Sequence, residues 1–169
     1  MSKLGNFTRK VAIVAIAVVS INVAANAQAQ GDKAVGGNLV IGTGNSYTNV
    51  GIGAKFFYNV TDPIRLAGEF DYFLKKDNVS WWDFSVYGHY LFSVADGVNV
   101  FPAVGLGMMG WKADLGPFGN YSDSKFVFSL GGGADYALTD QLILTGELRL
   151  KLYDGNNRVN FAVGIAHKF

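Results

Sequence analysis

Acid–base chemistry needs carboxylates or histidines set close together, and the chain offers two places where such residues could meet. Glu69 and Asp71 stand two apart, and His89 shares its parity with Ser85 and Ser93. The only other histidine, His167, lies near the C-terminus. Neither place reads as a reaction centre. On an extended chain Glu69 and Asp71 point to the same side, where they meet other charges rather than an open cleft. Neither histidine sits where a nucleophile and its base are recognisably paired. Two separated histidines without any cysteine are too few ligands for zinc. No catalytic residue, cofactor or metal is therefore expected.

Glu69 and Asp71 belong instead to a longer series with Lys55, Arg65, Asp83, Asp135, Glu147, Arg149, Lys151 and Arg158, five cations against five anions. Such a balance suits mutual neutralisation. Three motif matches fail on context. Gly105-Leu-Gly107-Met-Met-Gly110 fits a dinucleotide-binding loop, but no helix can follow through Gly116, Pro117 and Gly119. Ser122-Asp-Ser-Lys125 lacks the companion motifs of a serine acyl-enzyme. Asn59, Asn78 and Asn120 begin glycosylation sequons, which would mean little if the host were bacterial.

The elements that position these charges alternate with period two. Over 141–153, Leu142, Leu144, Leu148, Leu150 and Leu152 fall on one face, and Thr145, Glu147, Arg149 and Lys151 on the other. The same pattern predicts eight strands, near 34–44, 48–60, 64–75, 81–94, 98–112, 125–138, 141–153 and 158–169. Each is long enough to cross a bilayer when tilted. Thr61-Asp62-Pro63, Ala95-Asp96-Gly97 and Thr139-Asp140 read as tight turns. The connections near 45–47, 76–80, 113–124 and 154–157 read as longer loops, the third being the longest.

From the second strand through the seventh the even positions are apolar, among them Phe56, Phe70, Phe84, Leu106 and Phe128. The odd positions are polar or small. Parity changes at the first and last loops, which aligns Arg158 with the polar set. A soluble barrel would turn the apolar set inward and a membrane barrel outward. An eight-stranded barrel has an interior that side chains just fill, so the large set must face out and Gly, Ser and the ten charges in. If the first tight turn centres on Asp62, Lys55 opposes Glu69 and their pairing is expected. Tyr58, Tyr90, Phe92, Tyr136 and Phe169 then ring the turn end, and Tyr72, Trp82, Phe84 and Phe126 the loop end, as two interfacial girdles.

The N-terminus carries Lys3, Arg9 and Lys10, an apolar run from Val11 to Val23, and the small-residue sites Ala25-Asn26-Ala27 and Ala27-Gln28-Ala29. This pattern predicts a cleaved secretory signal over residues 1–29 and a single domain over 30–169. A formal net charge of +1 leaves no basic footprint for nucleic acid. An exported domain without cysteine must gain its stability from something other than disulfides.

These residues resemble the small outer-membrane β-barrel proteins of Gram-negative bacteria, of the OmpA-barrel, OmpX and opacity-porin type. The local marks are Phe101-Pro102-Ala103-Val104-Gly105-Leu106-Gly107 and the terminal Phe169. The resemblance implies an eight-stranded antiparallel transmembrane β-barrel with short periplasmic turns and longer external loops. It further implies that Gly164 and Phe169 form the signal read by the outer-membrane insertion machinery, with His167 and Ala162 departing from the usual pattern. The expected role is structural or interactive, with membrane lipids as partners and the loop Ala113–Ser124, through Phe118 and Tyr121, meeting a surface ligand. A narrow pore for small solutes, a lipid-modifying enzyme and a soluble ligand-binding barrel are the alternatives.

Overall fold

The computed structural model describes residues 29–169 apart from 45, 46, 77 and 115. The export signal expected over 1–29 thus lies, but for Ala29, outside the described residues. The chain forms β1 (Lys33–Gly44), β2 (Tyr47–Asn59), β3 (Ile64–Lys76), β4 (Val79–Tyr90), β5 (Phe92–Ala95), β6 (Val98–Asp114), β7 (Asn120–Ala137), β8 (Leu142–Tyr153) and β9 (Asn156–Lys168). All pairings are antiparallel in the order β4-β3-β2-β1-β9-β8-β7-β6-β5, and a further β4–β6 pairing closes the sheet on itself. Among the described residues every long strand is paired on both sides, which a bilayer requires because unpaired backbone groups find no water there.

The nine strands make eight staves, because β4 and β5 are one stave interrupted at Leu91. His89 pairs with Ala103 and Phe92 with Val100 in a continuous register. Tyr90 and Leu91 therefore stand opposite Pro102 and Phe101. Pro102 has no N–H to give to the ladder. On its other side, the Leu91 N–H donates to the Pro63 carbonyl at 2.7 Å, and Pro63 cannot return a bond either. Two prolines thus frame the break in a stave expected to run unbroken over 81–94.

The turns at the terminal end, where the described residues begin and finish, use threonine hydroxyls. Thr61 Oγ1 accepts from the Ile64 N–H at 3.1 Å and Thr139 Oγ1 from the Leu142 N–H at 3.0 Å. At the opposite end the connections are shorter than expected. β8 and β9 are joined by Asp154 (φ 39°) and Gly155 (φ 73°), a two-residue hairpin in which both residues are left-handed. The loop expected over 113–124 shrinks as well. β6 and β7 stay paired from Val98↔Tyr136 to Asp114↔Asn120, leaving a single 3-10 turn at Gly116–Phe118. This hairpin is the longest in the barrel.

The faces follow parity. Leu39, Phe70, Leu106, Phe126 and Leu148 are exposed, whereas Lys55, Glu69, Asp83, Arg149 and Lys151 are buried. Leu148 is 56% exposed while its neighbour Arg149 is 2% exposed, and this inversion is opposite to a soluble protein. The girdle residues Tyr58, Tyr90, Tyr136 and Phe169 at one end, and Tyr72, Phe84 and Phe126 at the other, are exposed around the rim.

Candidate functional site

The barrel lumen holds Glu69, Asp71 and His89, the residues that could have done acid–base chemistry. All ten charged side chains lie within it. Desolvating charges is costly unless each finds a partner of good geometry. Near the terminal end, Arg65 Nη1 bonds Asp135 Oδ2 at 2.5 Å and its Nε donates to His89 Nδ1 at 3.1 Å. The guanidinium is sandwiched by rings, 4.2 Å from Phe57 and 4.7 Å from Phe101, and His89 stacks on Phe101 at 4.4 Å. His89 is therefore committed to packing, and the group against its Nδ1 is a cation rather than a carboxylate or hydroxyl. His167 faces outward at the turn end, opposite Val35.

Around mid-height runs a connected chain of ions. Lys55 Nζ bonds Glu147 Oε1 at 2.7 Å and Thr145 Oγ1 at 3.2 Å. Arg149 bridges Glu147 and Glu69, and lies over the Tyr87 ring at 4.5 Å. Asn38 Nδ2 then donates to Glu69 Oε1 at 3.1 Å and to Asp71 Oδ1 at 3.0 Å. Beside it Lys151 Nζ meets Asp83 Oδ1 at 2.6 Å, with Ser85 donating to the same oxygen at 2.7 Å. Small residues make this possible: a Cβ on Gly53 would come within 2.0 Å of Asp71 Oδ1.

Lys55 and Glu69 are cross-strand neighbours, as expected. Their ion pair is not formed. Lys55 reaches across the lumen to β8 and Glu69 takes Arg149 instead, because opposed side chains on one inner wall point toward the axis rather than toward each other. The interior aromatics Phe57, Phe73, Tyr87 and Phe101 are not among the sequence candidates, although their odd numbers put them on the polar face. Parity alone would have found them.

Beyond this plug, at the end away from the termini, the lumen opens into a cavity of about 300 Å³ lined by residues including Asn49, Trp81, Met109, Trp111, Tyr153 and Arg158. Arg158 lies over Phe73 at 4.0 Å and forms no ion pair among the described residues. At the rim Lys125 pairs with Asp154, and this hydrogen bond holds the Asp154 carboxyl below its ordinary range. Tyr121, expected in a loop, is on β7 opposite Ala113, exposed, with its ring 5.3 Å from Trp111. Phe118 lies in the 3-10 turn at the hairpin tip. Gly164 is buried against β1, where a Cβ would meet the Gly37 carbonyl at 2.4 Å, and Phe169 is exposed at the barrel end.

An apolar belt, a charged lumen and an edgeless eight-stave sheet define an integral membrane barrel. The outer membrane protein β-barrel domain family matches residues 11–169, and the chain belongs to that family, which places it in the outer membrane. Among solved structures, it is similar to Neisserial surface protein A, with 13% identity, a TM-score of 0.64, and coverage of 82% of this chain and 96% of that one. It is likewise similar to the attachment invasion locus protein Ail of Yersinia pestis (15%, 0.62, 83% and 99%) and to the N-terminal β-barrel domain of Pseudomonas aeruginosa OprF (18%, 0.61, 83% and 100%). At these identities the likeness is one of fold. No curated protein sequence matches significantly.

Proposed function

We propose that the protein is a non-catalytic structural barrel of the outer membrane that presents its longer end to the exterior, its lumen closed by the ion plug. The observation that carries this reading is the bridging of Arg149 between Glu69 and Glu147, joined to Lys55, which ties β2, β3 and β8 together across the axis. A lumen crossed by mutually neutralised side chains leaves little free path for solute. His89, sealed between Arg65 and Phe101, supports the absence of acid–base catalysis. On this reading residues 1–29 direct export, Gly164 and Phe169 present the final strand to the insertion machinery, lipids surround the belt, and the β6–β7 tip with Phe118 and Tyr121 faces any surface ligand.

Fractionation followed by gels of heated and unheated sample tests the barrel: the band partitions with the outer membrane and migrates faster unheated. Planar-bilayer recording tests the plug: reproducible single-channel steps would establish a pore instead. An altered lipid A mass spectrum on overexpression would reinstate the enzyme.

A further inference from the structure

We propose that the outer part of β7, residues 120–127, is a docking edge for an extended segment of an exterior polypeptide, which joins the sheet as an antiparallel strand. This rests on reading that end as external. Within the belt the sheet has no edge, but above it the two neighbours of β7 separate. β6 stays paired with β7 out to Asp114↔Asn120, whereas pairing with β8 begins only at Phe128↔Leu152. Beyond Tyr153 the chain turns back through Asp154 and Gly155. Residues 120–127 are therefore paired on one side alone among the described residues.

Two bonds at the far end of the strand fix where its backbone groups point. Ala137 N–H donates to the Gly97 carbonyl on the β6 side at 2.8 Å, and Leu138 N–H to the Leu142 carbonyl on the β8 side at 2.8 Å. Successive residues alternate sides, and the β6–β7 register reaches Asn120 without a shift. The N–H and C=O groups of Ser122, Ser124 and Phe126 thus face the side that β8 has left. Ser124 agrees with this phase: its N–H donates to Asp123 Oδ1 at 2.8 Å. A row of unpaired donors and acceptors is a ready template for a further strand.

The surroundings define the occupant. Continuing the β7–β8 register places the added strand above the β8–β9 turn, where Phe126, Phe128, Leu152, Asp154 and Asn157 line an open groove. Asp123 and Lys125 stand two apart on one face with opposite sign, so a segment with a base and an acid two apart satisfies both. Lys125 meanwhile spans the gap to Asp154, an exposed pair that the incoming strand replaces. A second copy in the same membrane does not qualify. A two-fold axis along the membrane normal brings two β7 edges together running the same way, not antiparallel.

The edge supplies its own probe. A peptide copy of residues 120–128, laid antiparallel about Ser124, sets its Lys125 opposite Asp123 and its Asp123 opposite Lys125. Titrated into the refolded barrel in micelles, it should bind saturably with Kd on the order of 100 μM and protect the Ser122, Ser124 and Phe126 amides from hydrogen exchange. N-methylation of the peptide at Ser122, Ser124 and Phe126 removes the bonding donors and should weaken binding at least roughly tenfold. N-methylation at Tyr121, Asp123 and Lys125, whose amides point away, should change it by less than about threefold. Ser124→Pro in the barrel blocks the edge without touching the β6 ladder, so binding should vanish while the fast-migrating unheated band persists. If that variant fails to fold, the methylated pair on the unaltered protein decides alone. Equal binding of the two methylated peptides overturns edge pairing, and absence of saturable protection overturns the site. Equal binding of a peptide with Asp and Lys exchanged overturns the charge match. Sidedness is decided separately: an impermeant maleimide on whole cells should label Ser122→Cys in this cysteine-free chain. Unlabelled cells would overturn the exterior reading, and the micelle result would stand.

Discussion

Single residues divide by whether their neighbours can move. Gly36 sits where a Cβ would come within 2.2 Å of the Ile165 carbonyl and 2.7 Å of the Ala166 Cα, both backbone atoms, whereas a Cβ on Gly146 meets nothing within 4 Å. Gly36→Ala should therefore cost about 1–3 kcal/mol and Gly146→Ala less than about 0.5 kcal/mol. Denaturant midpoints in lipid vesicles distinguish them, and equal costs would show that β1 and β9 are not so closely apposed. Glu147 serves both Lys55 and Arg149. Glu147→Ala should lose about 3–5 kcal/mol, chiefly from the buried cations it strands. A double-mutant cycle should find Lys55 coupled to Glu147 and little coupled to Glu69; the reverse order of coupling energies would refute the cross-lumen pairing. Parity suffices to send all ten charges inward. It cannot say which cation meets which anion, because that depends on how the closed sheet staggers opposite walls, a quantity absent from any one strand.

At the scale of elements, periodicity locates the staves well and their interruptions poorly. Alternation is interrupted at Leu91, an apolar residue at an odd position between Tyr90 and Phe92, but the even apolar series runs on across it, and only Pro63 and Pro102, residues without a donor, account for the gap. Pro102→Ala supplies an N–H opposite Tyr90. Its amide should become protected in hydrogen exchange and join β4 to β5; exchange as fast as that of a loop amide would mean that something other than proline breaks the ladder. The loop expected over 113–124 is lost for a related reason. Gly, Pro, Asn, Asp and Ser cluster there as in any connection, but Tyr121 and Trp111 pack against each other and carry the hairpin outward, leaving only the tip to turn.

For the whole molecule, the decisive question is which side of each strand meets the hydrocarbon, and side-chain volume answers it from the residues alone. Leu148→Arg puts a charge on the belt and should cost about 2–4 kcal/mol if that position is near the bilayer midplane. The matching measurement is the same vesicle unfolding transition. A cost near zero would place Leu148 in water and remove the basis for the belt.

The ion plug also dictates when the protein can exist. Its bonds join residues 92, 80 and 70 positions apart, Lys55 with Glu147, Glu69 with Arg149 and Arg65 with Asp135. A chain stopped short of Glu147 would carry bare ions that no lipid tail can tolerate. Nothing shorter than almost the entire polypeptide is admissible to the bilayer, so translation and export must both be nearly finished before insertion is thermodynamically allowed.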